Sequence, residues 1–142
     1  MSMEANKAIS SRFFEEIFGQ GKLAVADEIV AAGHTNAGPG AFPGLPPGPE
    51  GSKMFVSGYR TAFPDVQFTI DEQIAEGDRV VTRWSAHGTH KGALMDIPPT
   101  GKYVTVTGVT MDRVVNGKIV ESWGIFDQFG MLQQLGVIPA PG

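Results

Sequence analysis

The segment SWGIFDQFG, Ser122 to Gly130, sets one carboxyl group, Asp127, among Trp123, Phe126 and Phe129. A buried carboxylate is costly unless it is paired or hydrogen-bonded; otherwise its pKa rises and it keeps its proton. A group held in that state is suited to general acid/base work. On a strand, period two puts Asp127, Trp123 and Glu121 on one face. The competing role for Asp127 is to N-cap a short helix that starts a few residues later. A second carboxyl, Asp112, stands beside Arg113 in YVTVTGVTMDRVV. Strand neighbours point to opposite faces, so Asp112 goes with Thr110 and Val114, and Arg113 with Met111 and Val115. Either face suits the interior, and a surface ion pair is the alternative for both residues.

His34 and Asn36, in GHTN, stand where a Pro/Gly-rich stretch begins. They are placed either to hydrogen-bond a substrate carbonyl or enolate, or to order the turn. His87 and His90 are three apart. On a continuous strand an odd separation puts them on opposite faces, where they cannot share an ion. With no cysteine in the chain and no repeated carboxylate spacing, no metal site is expected. No Ser-His-Asp arrangement, phosphate loop or dinucleotide fingerprint is present, and the glycines of GPGAFPG do not follow a strand.

These residues need a scaffold to position them. At 142 residues the chain fits one domain, residues 1–142, with a sizeable core. Its 42% hydrophobic and 18% charged content is that of a soluble globular protein. A net charge of −4 without a Lys/Arg cluster argues against a nucleic-acid or anionic-membrane partner. No secretory leader or apolar membrane span is expected, which makes the expected location cytoplasmic. Disulfides and cysteine nucleophiles are excluded.

The first half is expected to be helical. Ile9, Phe13, Phe14, Ile17 and Phe18 form a stripe over Asn6 to Phe18, and a second short helix runs through Leu23 to Val30. The stretch from Gly33 to Gly51 is expected as a long loop, because Gly and Pro continue neither helix nor central strand. A third helix follows from Gly51 to Phe63, with Met54, Phe55, Tyr59 and Phe63 on its apolar side, stopped by Pro64. The second half carries strand patterns at Val66 to Ile70, Arg79 to Gly88, Tyr103 to Val115 and Lys118 to Asp127. Asn116-Gly117 is a hairpin signal, and Gly77-Asp78 is expected to act likewise. Helices followed by an antiparallel sheet define an α+β domain. A curled sheet under three helices leaves a pocket that Trp84, Trp123 and several Phe are large enough to line; a plain core is the alternative.

The segments FFEEIFGQGKLAVADEIVA, HTN, PPGPEG, YRTAFPD, EGDRVVTRWSAHGTHKG, IPPTGK and GKIVESWGIFDQFGMLQQLG occur in order over nearly the whole chain. Together they resemble the SnoaL-like polyketide cyclase (ester cyclase) family. The resemblance implies the cone of the nuclear-transport-factor-2-like superfamily: a curved antiparallel sheet wrapped by N-terminal helices around a pocket. It also implies intramolecular aldol ring closure without metal or organic cofactor, with an aspartate near the end of the last strand matching Asp127. A histidine of the preceding strand, also implicated in the family, has no counterpart in TMDRV, which offers Asp112 or Arg113. A polar residue after the second helix matches Asn36 or His34. The expected site is therefore Asp127 and Asp112 as acid/base groups, with His34, Asn36, Tyr59, Trp84, His87 and Trp123 around a small apolar ligand. If the assignment holds, Asp127→Asn abolishes turnover and leaves the fold intact.

Two other functions fit the same residues. One is isomerisation, dehydration or epoxide opening, the last by Asp112, Arg113 and Asp127 acting on water. The other is a small-ligand-binding homodimer without chemistry, in which the loop KGALMDIPP, Lys91 to Pro99, is a dimer contact or a lid.

Overall fold

The computed structural model describes residues 2–139. Helix α1, Met3–Arg12, starts at an N-cap whose Ser2 hydroxyl accepts from the Ala5 N–H at 3.0 Å. It continues as a wider π-helical segment over Phe13–Phe18. Helix α2 spans Val25–Ile29 and α3 spans Pro49–Ala62, the latter with proline in its first turn, where no helical N–H is required. Five strands follow the order β1, Val30–Ala37; β2, Gln67–Glu76; β3, Arg79–Thr89; β4, Tyr103–Val115; and β5, Lys118–Phe126. Helix α4, Gln128–Leu135, comes after the sheet.

The strands form one sheet in the order β1-β5-β4-β3-β2. Both hairpins behave as their turn residues require. Asn116 and Gly117 have φ of 52° and 78°, the pair of positive angles of a type I′ turn, and Gly77 has φ of 59°. Register shifts between Ile70 and Glu72 in β2 and between Arg113 and Val114 in β4 bend the sheet. The curved, unclosed sheet and its N-terminal helices agree with the α+β cone expected from the sequence.

One element differs. Val30–Ala37 is a strand, where the sequence suggested the end of a helix and the start of a loop. It pairs parallel with β5, Thr35 opposite Glu121 and Asn36 opposite Ser122, so the sheet is antiparallel except at this edge. VAAGHTNA carries little strand propensity of its own; the free edge of β5 supplies its hydrogen-bond partners. His34 and Asn36 are thereby strand residues rather than loop residues.

The helices cover the inner face of the sheet. Phe14, Ile17 and Phe18 from the π-helical segment, Ile29 and Val30, Val56 and Ala62 from α3, and Val80, Trp84, Ala86, Val104, Val114 and Ile119 from the strands form one buried cluster. The alternation in β4 settles the face left open by sequence: Asp112 and Val114 are buried inward, and Met111 is exposed. Arg113 joins the outer row, where its guanidinium pairs with Glu121 at 3.4 Å and Asp78 at 3.7 Å.

Candidate active site

Between helices and sheet lies a cavity of about 110 Å³. A single water needs roughly 10–15 Å³ on the same measure, so the space admits an organic molecule. Its walls are mostly aromatic: Phe13, Phe14 and Phe18 from the π-helical segment, Phe55, Tyr59 and Phe63 near α3, and Phe68, Trp84 and Phe126 from the sheet. The wider π-helical turn sets Phe13 and Phe14 edge-to-face, with centroids 6.1 Å apart, and both border the cavity. The Trp84 ring is fixed by its Nε1–H, which donates to Thr110 Oγ1 at 3.0 Å.

The polar part of the lining comes from β1, β4 and β5: His34, Asn36, Thr110, Asp112 and Ser122. Asp112 is 3% exposed. Its Oδ1 accepts from the Ser122 hydroxyl at 2.6 Å, and its Oδ2 accepts from the Ser10 hydroxyl on α1 at 2.9 Å. Ser122 Oγ also lies 2.9 Å from His34 Nε2. Four residues from α1, β1, β4 and β5 thus form one chain of hydrogen bonds. Burial pushes the Asp112 carboxyl up to about 6, while the hydroxyls of Ser122 and Ser10 pull the other way by stabilising the carboxylate. Burial pushes His34 down to about 4, so its imidazole is neutral at physiological pH. Burial also raises the Tyr59 phenol to about 12, leaving it a proton donor to a ligand. Among the described residues no Lys, Arg or Glu lines the cavity.

Of the residues singled out in sequence, Asp112, His34, Asn36, Tyr59 and Trp84 meet around this cavity. His87 instead alternates outward with Arg83 and Ser85, and its ring packs 5.6 Å from that of the exposed Tyr103, which corrects its expected place against the ligand. Two further residues are elsewhere. Asp127 is exposed, and its carboxylate accepts from the Gly130 N–H at 2.9 Å as the N-cap of α4. This corrects the expectation that Asp127 faces the cavity. Trp123 is 44% exposed on the outer face. The period-two reasoning placed Glu121, Trp123 and Asp127 together correctly, but their common face is the outer one, as a charged Glu121 in that row favours. Arg113 is outside as well, so Asp112, Arg113 and Asp127 do not assemble around a water as epoxide opening would need. His90, fully buried, accepts at Nδ1 from the Thr100 N–H at 3.2 Å and orders the loop that follows β3. Among the described residues no group of three His, Asp or Glu is arranged to hold a metal ion.

Ser122 and Ser10 went unnoticed in sequence, and Thr110 was placed on the face of Asp112 without a role. Ser122 had a signal, since it alternates with Glu121 and Trp123 and so shares the inner row with Gly124 and Phe126. Ser10 had none: its partner lies 102 residues away.

A curved sheet roofed by helices over an aromatic cavity, with the titratable Asp112 and His34 at its polar end, is the cone fold of the nuclear-transport-factor-2-like class. The chain belongs to the SnoaL-like polyketide cyclase family, whose model matches residues 8–135. It is similar to IdmH from Streptomyces antibioticus, provisionally assigned as a polyketide cyclase, with 34% identity over 92% of this chain and 98% of that one and a TM-score of 0.77. A protein from Acidithiobacillus ferrooxidans with the same provisional assignment shares 31% identity over 96% and 99% of the two chains, at a TM-score of 0.81. TsrD from Streptomyces laurentii, 21% identical over 97% and 99%, shares the fold at a TM-score of 0.87. No curated protein matches the sequence. Family and neighbours together support a cyclase-like role.

Proposed function

We propose that this chain is a cyclase that closes a ring in a small apolar, polyketide-like carbonyl compound by intramolecular aldol chemistry. The observation that carries the proposal is the placement of a buried carboxyl group, linked through Ser122 to a neutral imidazole, at the polar end of an aromatic cavity. A base removes the proton α to one carbonyl, the resulting enolate forms a carbon–carbon bond to a second carbonyl, and an acid returns the proton to the new alkoxide. A group whose pKa lies near the working pH performs both transfers. Asn36 and Tyr59 border the same cavity and are the donors available to a carbonyl or enolate oxygen. The aromatic walls hold the two ends of the ligand together, which removes much of the entropic barrier to closure. The reaction so written needs no metal or organic cofactor.

One observation favours a second reading, ligand binding without turnover: both Asp112 oxygens already accept serine hydroxyls, as those of a purely structural carboxyl would. A panel of linear aromatic poly-β-carbonyl compounds separates the two. Compounds that raise the melting temperature are incubated with the protein and followed by mass spectrometry. A ring-closed isomer of unchanged mass at a new chromatographic retention time, abolished in Asp112→Asn, supports the cyclase; tight binding with the ligand recovered unchanged supports the binder.

We propose further that the chain forms a homodimer through the outer face of the sheet. Trp123, Ile125, Met111 and Tyr103 are exposed there together. The charges beside them are of both signs, Arg79, Arg83 and Arg113 with Asp71, Asp78 and Glu121.

A further inference from the structure

The hydrogen bonds that tie Asp112 to His34 fix where each proton resides, and from that the order in which the site uses its two titratable groups. An ionised carboxylate has no proton to give, so the contact at 2.6 Å is made by the Ser122 hydroxyl donating to Asp112 Oδ1. A hydroxyl has one proton. With that proton spent on Asp112, Ser122 Oγ meets His34 Nε2, 2.9 Å away, as an acceptor. Nε2 therefore carries the hydrogen, and the neutral ring presents a bare lone pair at Nδ1. Among the described residues Nδ1 has no hydrogen-bond partner, although His34 lines the cavity. Asp112 lines the cavity too, but each of its oxygens already accepts a hydroxyl, from Ser10 and from Ser122.

We propose that His34 Nδ1 is the base that meets the substrate, and that Ser122 relays the proton to Asp112, which stores it. The proposal rests on the cyclase reading and names the base within it. In the forward step the substrate C–H bond breaks and an Nδ1–H bond forms, leaving the electron pair on carbon as the enolate. Nε2 gives its proton to Ser122 Oγ, and Ser122 gives its own to Asp112 Oδ1. One proton has moved from carbon to the carboxylate, and one negative charge from the carboxylate to the enolate. The imidazole has changed tautomer and has never become a cation, which its buried position disfavours. The same steps in reverse return the proton to the alkoxide after the carbon–carbon bond has formed. His34 is then the catalytic residue, with Ser122 and Asp112 positioning and charging it. Asp112, His34 and Tyr59 are the titratable side chains that face the cavity, and among the described residues no Lys or Arg lines it to compete for the relay.

The test uses the full chain with 15N-labelled histidine, His34 being assigned by loss of its signals in His34→Gln. Two-bond proton–nitrogen correlations at pH 7.5 report which ring nitrogen carries hydrogen. The Nε2–H tautomer is expected in the wild type. Ser122→Thr should keep it, and Ser122→Ala should convert it to a mixture while the remaining spectrum stays folded. An Nδ1–H tautomer or a protonated ring in the wild type overturns the relay. So does Ser122→Ala with an unchanged tautomer.

The proton-abstraction half-reaction is read separately, as deuterium exchange into the α position of 2-tetralone in D2O. His34→Gln and Ser122→Ala should each slow exchange by at least tenfold, and Ser122→Thr should restore it to within about threefold. If Ser122→Ala exchanges at the wild-type rate while Asp112→Asn is inactive, the carboxylate acts directly. That result ends the relay and leaves the cyclase reading in place. If the wild type shows the Nε2–H tautomer and exchanges no probe protons, the result counts against the cyclase reading instead.

Discussion

Asp112 and His34 are pushed in opposite directions by one cause. Burial disfavours the charged form of each, which raises the acid from 3.8 to about 6 and lowers the base from 6.5 to about 4. The consequences for stability oppose each other. Asp112, raised on folding, contributes fully below pH 3.8, and its contribution is lost as pH rises through about 6. His34, lowered on folding, contributes fully above pH 6.5, and its contribution is lost as pH falls through about 4. Each is worth on the order of 3 kcal/mol at most, from about 1.4 kcal/mol per pH unit, so they largely cancel in the wild type. Urea denaturation between pH 4 and 7 should therefore show Asp112→Asn gaining stability with rising pH, and His34→Gln losing it. Parallel curves for the two variants would contradict the assignment. A different outcome is expected at Asp127, which caps α4 outside the cavity: Asp127→Ala should cost about 1 kcal/mol in the same assay. Exchange of 2-tetralone protons should be unaffected. Sequence chose correctly between strand faces only up to a sign, because period two groups residues without saying which group faces inward.

At the scale of elements, β4 and β5 are held to the cavity by small residues. A Cβ at Gly108 would overlap the Trp84 ring and come within 2.8 Å of the Ile125 carbonyl oxygen, so this position admits only glycine while Trp84 stays in place. Gly108→Ala should displace the indole, break its bond to Thr110 and destabilise the fold by about 1–3 kcal/mol, the usual range for overpacking. In a Trp123→Phe background, where Trp84 is the only tryptophan, its emission should shift to the red; unchanged emission and stability would refute the packing argument. Beyond Phe126, where β5 ends, the side-chain amide of Gln134 on α4 continues the pairing. It accepts from the Thr105 N–H and donates to the Thr105 carbonyl, each at 2.8 Å. The hairpins were legible because their turn residues act locally. Strand β1 was not, since VAAGHTNA becomes a strand only through its pairing with a segment about 85 residues further on.

For the molecule as a whole, the sheet has two unlike faces. The inner one is covered by helices; the outer one exposes Trp123, Ile125, Met111 and Tyr103 amid charges of both signs. If that face joins two copies, sedimentation at micromolar concentration should give twice the monomer mass of 15.1 kDa. Trp123→Glu, which buries a charge without a partner, should return the chain to the monomer while the cavity keeps its ligand affinity. A wild-type monomer at these concentrations would exclude the dimer.

By itself the sequence determined the α+β class, the two hairpins, the aromatic supply for a cavity and, in the four strands it revealed, the alternation of faces between register shifts. These follow from turn chemistry and from periods of 3.6 and 2.0, which act over a few residues. Only the tertiary structure decided that Asp112 rather than Asp127 enters the cavity, and that Ser10, Ser122 and His34 surround it. Those contacts join α1, β1, β4 and β5, and the burial that shifts the two titratable groups exists only once these elements have packed together.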